Sequence, residues 1–128
     1  MSTAQMSTLE IGMTLVDLCR QGRNHEAMST LYSADIVSVE AAAPPGQQRE
    51  TVGLDATMAK GQWWADNHIV HDSSVGGPFP KDDQFIVTFS FDVTFKPSGQ
   101  RFTMDEAALF TVTAGKIARE EFFYTMDG

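Results

Sequence analysis

The sequence predicts one α+β domain over residues 1–128, with helices packed on one face of an antiparallel sheet. Three observations lead there. Apolar residues recur at helical spacing early in the chain, they alternate with a period of two late in the chain, and the late segments are joined by short turns. Short turns suit antiparallel neighbours, because parallel strands need long crossovers.

The elements follow in order. Ser7-Thr8-Leu9-Glu10 reads as a capping box, in which the Ser7 hydroxyl and the Glu10 carboxylate each satisfy a free amide of a first turn. Ile11, Leu15 and Leu18 then fall on one helical face, and Gly22 ends the helix. Asn24 is expected to cap a second short helix with the stripe Ala27, Met28, Leu31 and Tyr32. From Ile36 the period changes to two: Ile36, Ser38 and Glu40 share one face of a strand, which Pro44-Pro45-Gly46 ends. A third helix follows Gly53 and runs through Leu54, Met58, Trp63 and Trp64 to about Asn67. A strand from His68 to Val75 is expected to break at Gly76-Gly77-Pro78. Phe85, Val87, Phe89, Phe91, Val93 and Phe95 alternate with mostly polar residues, giving a strand with one apolar face. Two further strands, Arg101–Thr113 and Ile117–Met126, complete a meander through the turns around Ser98-Gly99 and Gly115.

Composition narrows the function. The chain has 128 residues, 9 of them basic and 17 acidic, for a net charge of −8. That balance argues against nucleic acid and against anionic membrane surfaces, since both call for clustered Lys and Arg. No apolar run approaches the ~20 residues of a membrane span, and Met1–Glu10 shows no basic stretch leading into an apolar one. Cys19 is the lone cysteine and sits in an apolar helical pattern, which suits a buried structural thiol. A cytoplasmic protein is the expectation. Phosphate-binding glycine loops, a G-x-S-x-G elbow and Cys-x-x-Cys are absent, so no cofactor is expected.

Three segments carry a family resemblance: Leu31-Tyr32-Ser33-Ala34-Asp35-Ile36-Val37, the Gly53-led helix ending in Trp63-Trp64, and Ala114-Gly115-Lys116-Ile117 followed by Glu121-Phe122-Phe123-Tyr124. In these the chain resembles the nuclear transport factor 2-like superfamily, and within it the SnoaL-like proteins related to ketosteroid isomerase. The resemblance implies a cone-shaped, curved antiparallel sheet (an α+β roll) with about three N-terminal helices over its concave face. It also implies an apolar pocket and commonly a homodimer. It places Glu40 where the isomerases carry a carboxylate base. It sets Leu15 and Ala107 where they carry the tyrosine and the protonated acid of an oxyanion hole. By the same register His71, rather than His68, is expected to point inward.

The residues themselves add candidates. Glu40 shares the presumed cavity face with Ile36 and Ser38, and a carboxyl among apolar side chains holds its proton more tightly. The other reading is an exposed glutamate at a strand end. His68 and His71, three apart on a strand, face opposite ways, which argues against a shared metal site. Trp64 continues the stripe of Leu54, Met58 and Gly61 toward the sheet, while Trp63 is free for a subunit contact. Phe89 and Phe91 belong to the apolar face of their strand and are expected to line the pocket. Asp105 is assigned to the cavity face with Ala107 and Leu109; it reads as a rim carboxylate, or as a stand-in for the missing acid if the pocket is deeper or the register slips. Glu120, Phe122 and Tyr124 alternate inward as well. The run Arg119-Glu120-Glu121 reads mainly as a solvated or subunit-facing patch.

Three functions fit. One is an isomerase or cyclase acting on a small apolar carbonyl compound, with Glu40 as base and His71, Asp105 or Tyr124 assisting. The second is a protein that binds a small apolar molecule unchanged, at Trp64, Phe89, Phe91, Phe122 and Tyr124. The third is a dimeric interaction module with a vestigial pocket.

Overall fold

The computed structural model describes residues 5–125. Three helices and six strands follow in the order α1 Thr8–Arg20, α2 Asn24–Leu31, β1 Tyr32–Val39, β2 Glu50–Val52, α3 Leu54–Asn67, β3 His68–Lys81, β4 Gln84–Phe95, β5 Gln100–Thr113 and β6 Lys116–Phe123. The strands form one curved sheet in the order β2-β1-β6-β5-β4-β3. The α+β class holds, with two refinements. The sheet is mixed, because β1 runs parallel to β6 while the other neighbours are antiparallel. The three-residue strand β2, too short to show a period, adds an edge beside β1.

α1 begins on the expected capping box, with Ser7 Oγ accepting from the Glu10 amide and the Glu10 carboxylate accepting from the Ser7 amide. Asn24 opens α2 rather than capping it; the cap position falls to Arg23, whose side chain makes no capping bond. Tyr32 already belongs to β1. β3 does not stop at Gly76-Gly77-Pro78 but continues to Lys81, with a register irregularity between Gly76 and Phe79. Gly12 lets α1 approach that irregularity closely: a Cβ there would stand 2.9 Å from Pro78 Cβ. β6 is traced to Phe123, and Met126, its expected end, lies outside the described residues.

The core lies between the helices and the sheet. Ile11, Leu15 and Val16 of α1 and Ala27 and Leu31 of α2 meet Ile36, Phe85, Val87, Ala108, Phe110 and Ile117. Phe85 and Phe110 stack at 4.9 Å between ring centroids. α1 covers β3 and β4, whereas α3 lies over β1 and β2. The packing of α3 is loose, since Thr57 is its only fully buried residue. Among the described residues, no helix is long and apolar enough to cross a membrane.

Candidate functional site

The strand register decides which side chains share the helix-bearing face. Phe85 pairs with Phe110, Val87 with Ala108, Phe89 with Glu106 and Phe91 with Met104. On the parallel side Ser38 pairs with Glu120. Both Ser38 and Glu120 are buried, at 0% and 2% exposure.

These registers assemble a continuous polar chain. Tyr32 donates its hydroxyl to Glu120 Oε1, and Ser38 Oγ donates to Glu120 Oε2 at 2.6 Å. Lys60 of α3 donates to Ser38 Oγ at 2.6 Å and pairs with Glu40 Oε1 at 3.0 Å. Tyr124 closes the chain, donating to Glu40 Oε2 at 2.9 Å. Lys60 also stands 5.8 Å over the Phe122 ring, a cation–π distance. Both oxygens of Glu40 are therefore held, one by a cation and one by a phenol, with the Glu40 and Lys60 side chains each 29% exposed.

Two carboxyls nearby hold their protons tightly. Burial pushes Glu106 up to about 7, with the charges of Glu40 and Glu120 acting in the same direction. Burial also raises Glu120, against the lowering effect of the Ser38 and Tyr32 hydrogen bonds and of Lys60. Tyr124 is pushed up to about 12, first by burial and then by its bond to Glu40. Cys19 is driven up to about 11 by burial and by Glu120, so the thiol is poorly nucleophilic.

Aromatic rings flank this chain. Trp64, one helical turn beyond Lys60, lies 5.4 Å from Phe91 and stacks on His68 at 4.3 Å. Phe89 and Phe91 stack at 6.0 Å. Phe89 is buried, while Trp64, Phe91, Phe122 and Tyr124 remain half-buried. Two hollows lie apart from this polar chain. One of about 220 Å³ sits against Asp72, Ser74, Ser90, Asp92 and Asp105, and one of about 400 Å³ lies between Ala34 and the start of α3.

Several expectations need correction. Asp105 is not on the helix-bearing face; it pairs with Ser90, which donates to its carboxylate, on the other side of the sheet. Its neighbour Glu106 takes the inward place. Sequence could not choose, because Asp105-Ala107-Leu109 and Glu106-Ala108-Phe110 each offer an acid, an alanine and an apolar residue. His71 is exposed and bonds the Thr94 hydroxyl at 2.7 Å. A β-bulge between Val70 and Asp72 breaks the alternation there. His68 is the inward histidine, between Trp64, Phe95 and Phe102. Its Nδ1 lies 2.8 Å from the Trp64 carbonyl, which can only accept, so Nδ1 carries the proton. The run at 119–121 splits: Glu120 is buried, while Arg119 and Glu121 pair at 3.4 Å. Glu40 sits between Lys60 and Tyr124 rather than among apolar groups alone. Lys60 and Glu106 escaped sequence reading; the position of Lys60 one turn before Trp64 was the available signal.

The sequence profile of the SnoaL-like domain matches residues 6–124. The chain belongs to the SnoaL-like domain family. This SnoaL-like chain is also similar to a solved structure from Mesorhizobium loti, a candidate SnoaL-like polyketide cyclase also named a carbohydrate phosphatase. Identity is 44%, coverage 93% of this chain and 100% of that one, and the TM-score 0.87. A candidate polyketide cyclase from Pseudomonas putida KT2440 shares the fold at 17% identity, covering 94% and 93% with a TM-score of 0.70. So does a protein of ketosteroid isomerase-like fold from Catenulispora acidiphila, solved with trimethylamine: 19% identity, 91% and 86% coverage, TM-score 0.71. No curated protein matches the sequence.

Proposed function

We propose that the SnoaL-like chain binds a small apolar carbonyl compound between α3 and the sheet, and that Glu40 exchanges a proton with it in an isomerase- or cyclase-like reaction. The observation that carries this reading is Glu40 itself. Lys60 and Tyr124 fix its carboxylate beside half-buried aromatic surface, and Glu106 nearby sits close to neutrality. In a site of this kind the carboxylate accepts a proton from the carbon next to the carbonyl. A neutral Glu106 then donates a hydrogen bond to the developing oxyanion. A positioned base contributes about 10²–10⁴-fold. The half-exposure of Trp64, Phe91 and Phe122 supports ligand entry, since apolar surface there is left without protein cover.

Native mass spectrometry of the purified protein, with proton NMR of a cyclic ketone in D₂O, tests this. Retention of a small molecule and catalysed exchange of the ketone's α-hydrogens, lost in Glu40→Gln, is the expected result. Binding without exchange leaves the alternative of a binding protein. No binding and no exchange sinks the reading.

The reading includes a homodimer through the outer face of the sheet, in the cytoplasm. Ile86 and Phe123, 40% and 51% exposed, flank Leu109 and Ala107 on that face. The contiguous apolar strip supports a subunit contact.

A further inference from the structure

We propose that Lys60 is a carbonyl-capturing amine, forming an imine with a small aldehyde or ketone at this site. The inference rests on the binding site above but not on removal of a carbon-bound proton by Glu40. Lys60 differs from the other three lysines of the chain, Lys81, Lys96 and Lys116, which are exposed at turns or strand ends. Its Nζ reaches the helix-bearing face, lies over the Phe122 ring and touches two groups suited to proton transfer. Glu40 Oε1 at 3.0 Å can take a proton, and Ser38 Oγ at 2.6 Å leads on to Glu120. Half-buried aromatic rings supply the apolar wall that an aromatic or alicyclic carbonyl compound needs. Amine catalysis requires this combination of a lysine, a base to free its lone pair and limited access of water.

The step balances as follows. Glu40 accepts one proton from the ammonium, and the freed lone pair attacks the carbonyl carbon. A carbon–nitrogen bond forms while the carbonyl electron pair moves to oxygen, which takes that proton back from Glu40. A second proton leaves nitrogen for the same carboxylate and returns to the hydroxyl as the carbon–oxygen bond breaks and water departs. Ammonium and aldehyde have become protonated imine and water.

The test uses benzaldehyde with sodium cyanoborohydride, which delivers hydride to the imine and leaves a stable benzyl group, located by peptide mass mapping. Lys60 is expected to carry the label well ahead of Lys81, Lys96 and Lys116. Glu40→Gln is expected to slow labelling by about 10²-fold, the low end for a positioned base. Lys60→Arg keeps the charge and removes the label from that peptide, so misfolding of a variant is not needed to explain its loss. Label confined to the exposed lysines of the wild-type protein overturns the proposal. Benzyl alcohol, which cannot form an imine, separates the two failures. If it binds by native mass spectrometry while Lys60 stays unlabelled, capture is wrong and the binding site stands. If it also fails to bind, both are wrong.

Discussion

Ser38 and Glu120 are direct partners across the parallel pair β1 and β6, and their buried side chains meet at 2.6 Å. The relationship joins topology to chemistry. Residues 82 apart in sequence, one hydroxyl and one carboxyl, become a buried hydrogen-bonded unit because the last strand lies beside the first. Tyr32 and Lys60 extend it at either end.

Stability should depend on that unit. Glu120→Leu leaves the Tyr32 hydroxyl without its partner and Ser38 with Lys60 alone, and a buried group left without a partner costs about 1–3 kcal/mol. Urea unfolding should show a lower midpoint at unchanged slope. Adding Tyr32→Phe should return part of the loss, because one stranded hydroxyl is then gone. A double variant that is weaker by the full sum of both single losses would contradict the network.

Stability should also fall as pH rises. Glu106 is pushed from 4.5 to about 7 in the folded chain. Between those values the folded state binds a proton that the unfolded state has released, so stability is greatest below the lower value and declines through the higher one. The loss is at most about 3 kcal/mol. Buried Glu120 acts in the same direction. Denaturant titrations from pH 5 to pH 8 should show the decline, and Glu106→Gln should flatten it in part. A stability that rises over this range would refute the assignment.

Tyrosine ionisation reports on Glu40. The chain has two tyrosines, and both are raised, Tyr124 to about 12 and Tyr32 well above its ordinary value. Ultraviolet titration should therefore show little ionisation near pH 10. In Glu40→Gln the Tyr124 transition should move down, though not fully, since burial is the larger cause. An unmoved transition would mean that the bond to Glu40 does not persist in solution.

The outer face offers a test of assembly. Phe123 is 51% exposed there. Light scattering should give twice the chain mass for the wild type and a smaller value for Phe123→Lys, which places a charge in the apolar strip. A monomeric wild type would remove the homodimer from the proposal.

Much of the fold was legible because local chemistry and periodicity carry it. The capping box at Ser7, the two-residue alternation from Phe85 to Phe95 and the buried side of Ile36 and Ser38 all follow from residues close in sequence. What sequence left open was the register between distant strands. A slip of one residue exchanges the two faces of a strand, and β5 carries an acid on both, so only pairing with β4 could choose Glu106 over Asp105. A bulge likewise turned His71 outward and left His68 inside. The lysine that meets Glu40 arrives on another element altogether, since Lys60 is placed by the packing of α3 over β1. Periodicity is a property of one strand or helix, whereas a site is a property of how several lie against each other; that is why the elements could be read from the chain and the Tyr32–Glu120–Ser38–Lys60–Glu40–Tyr124 network could not.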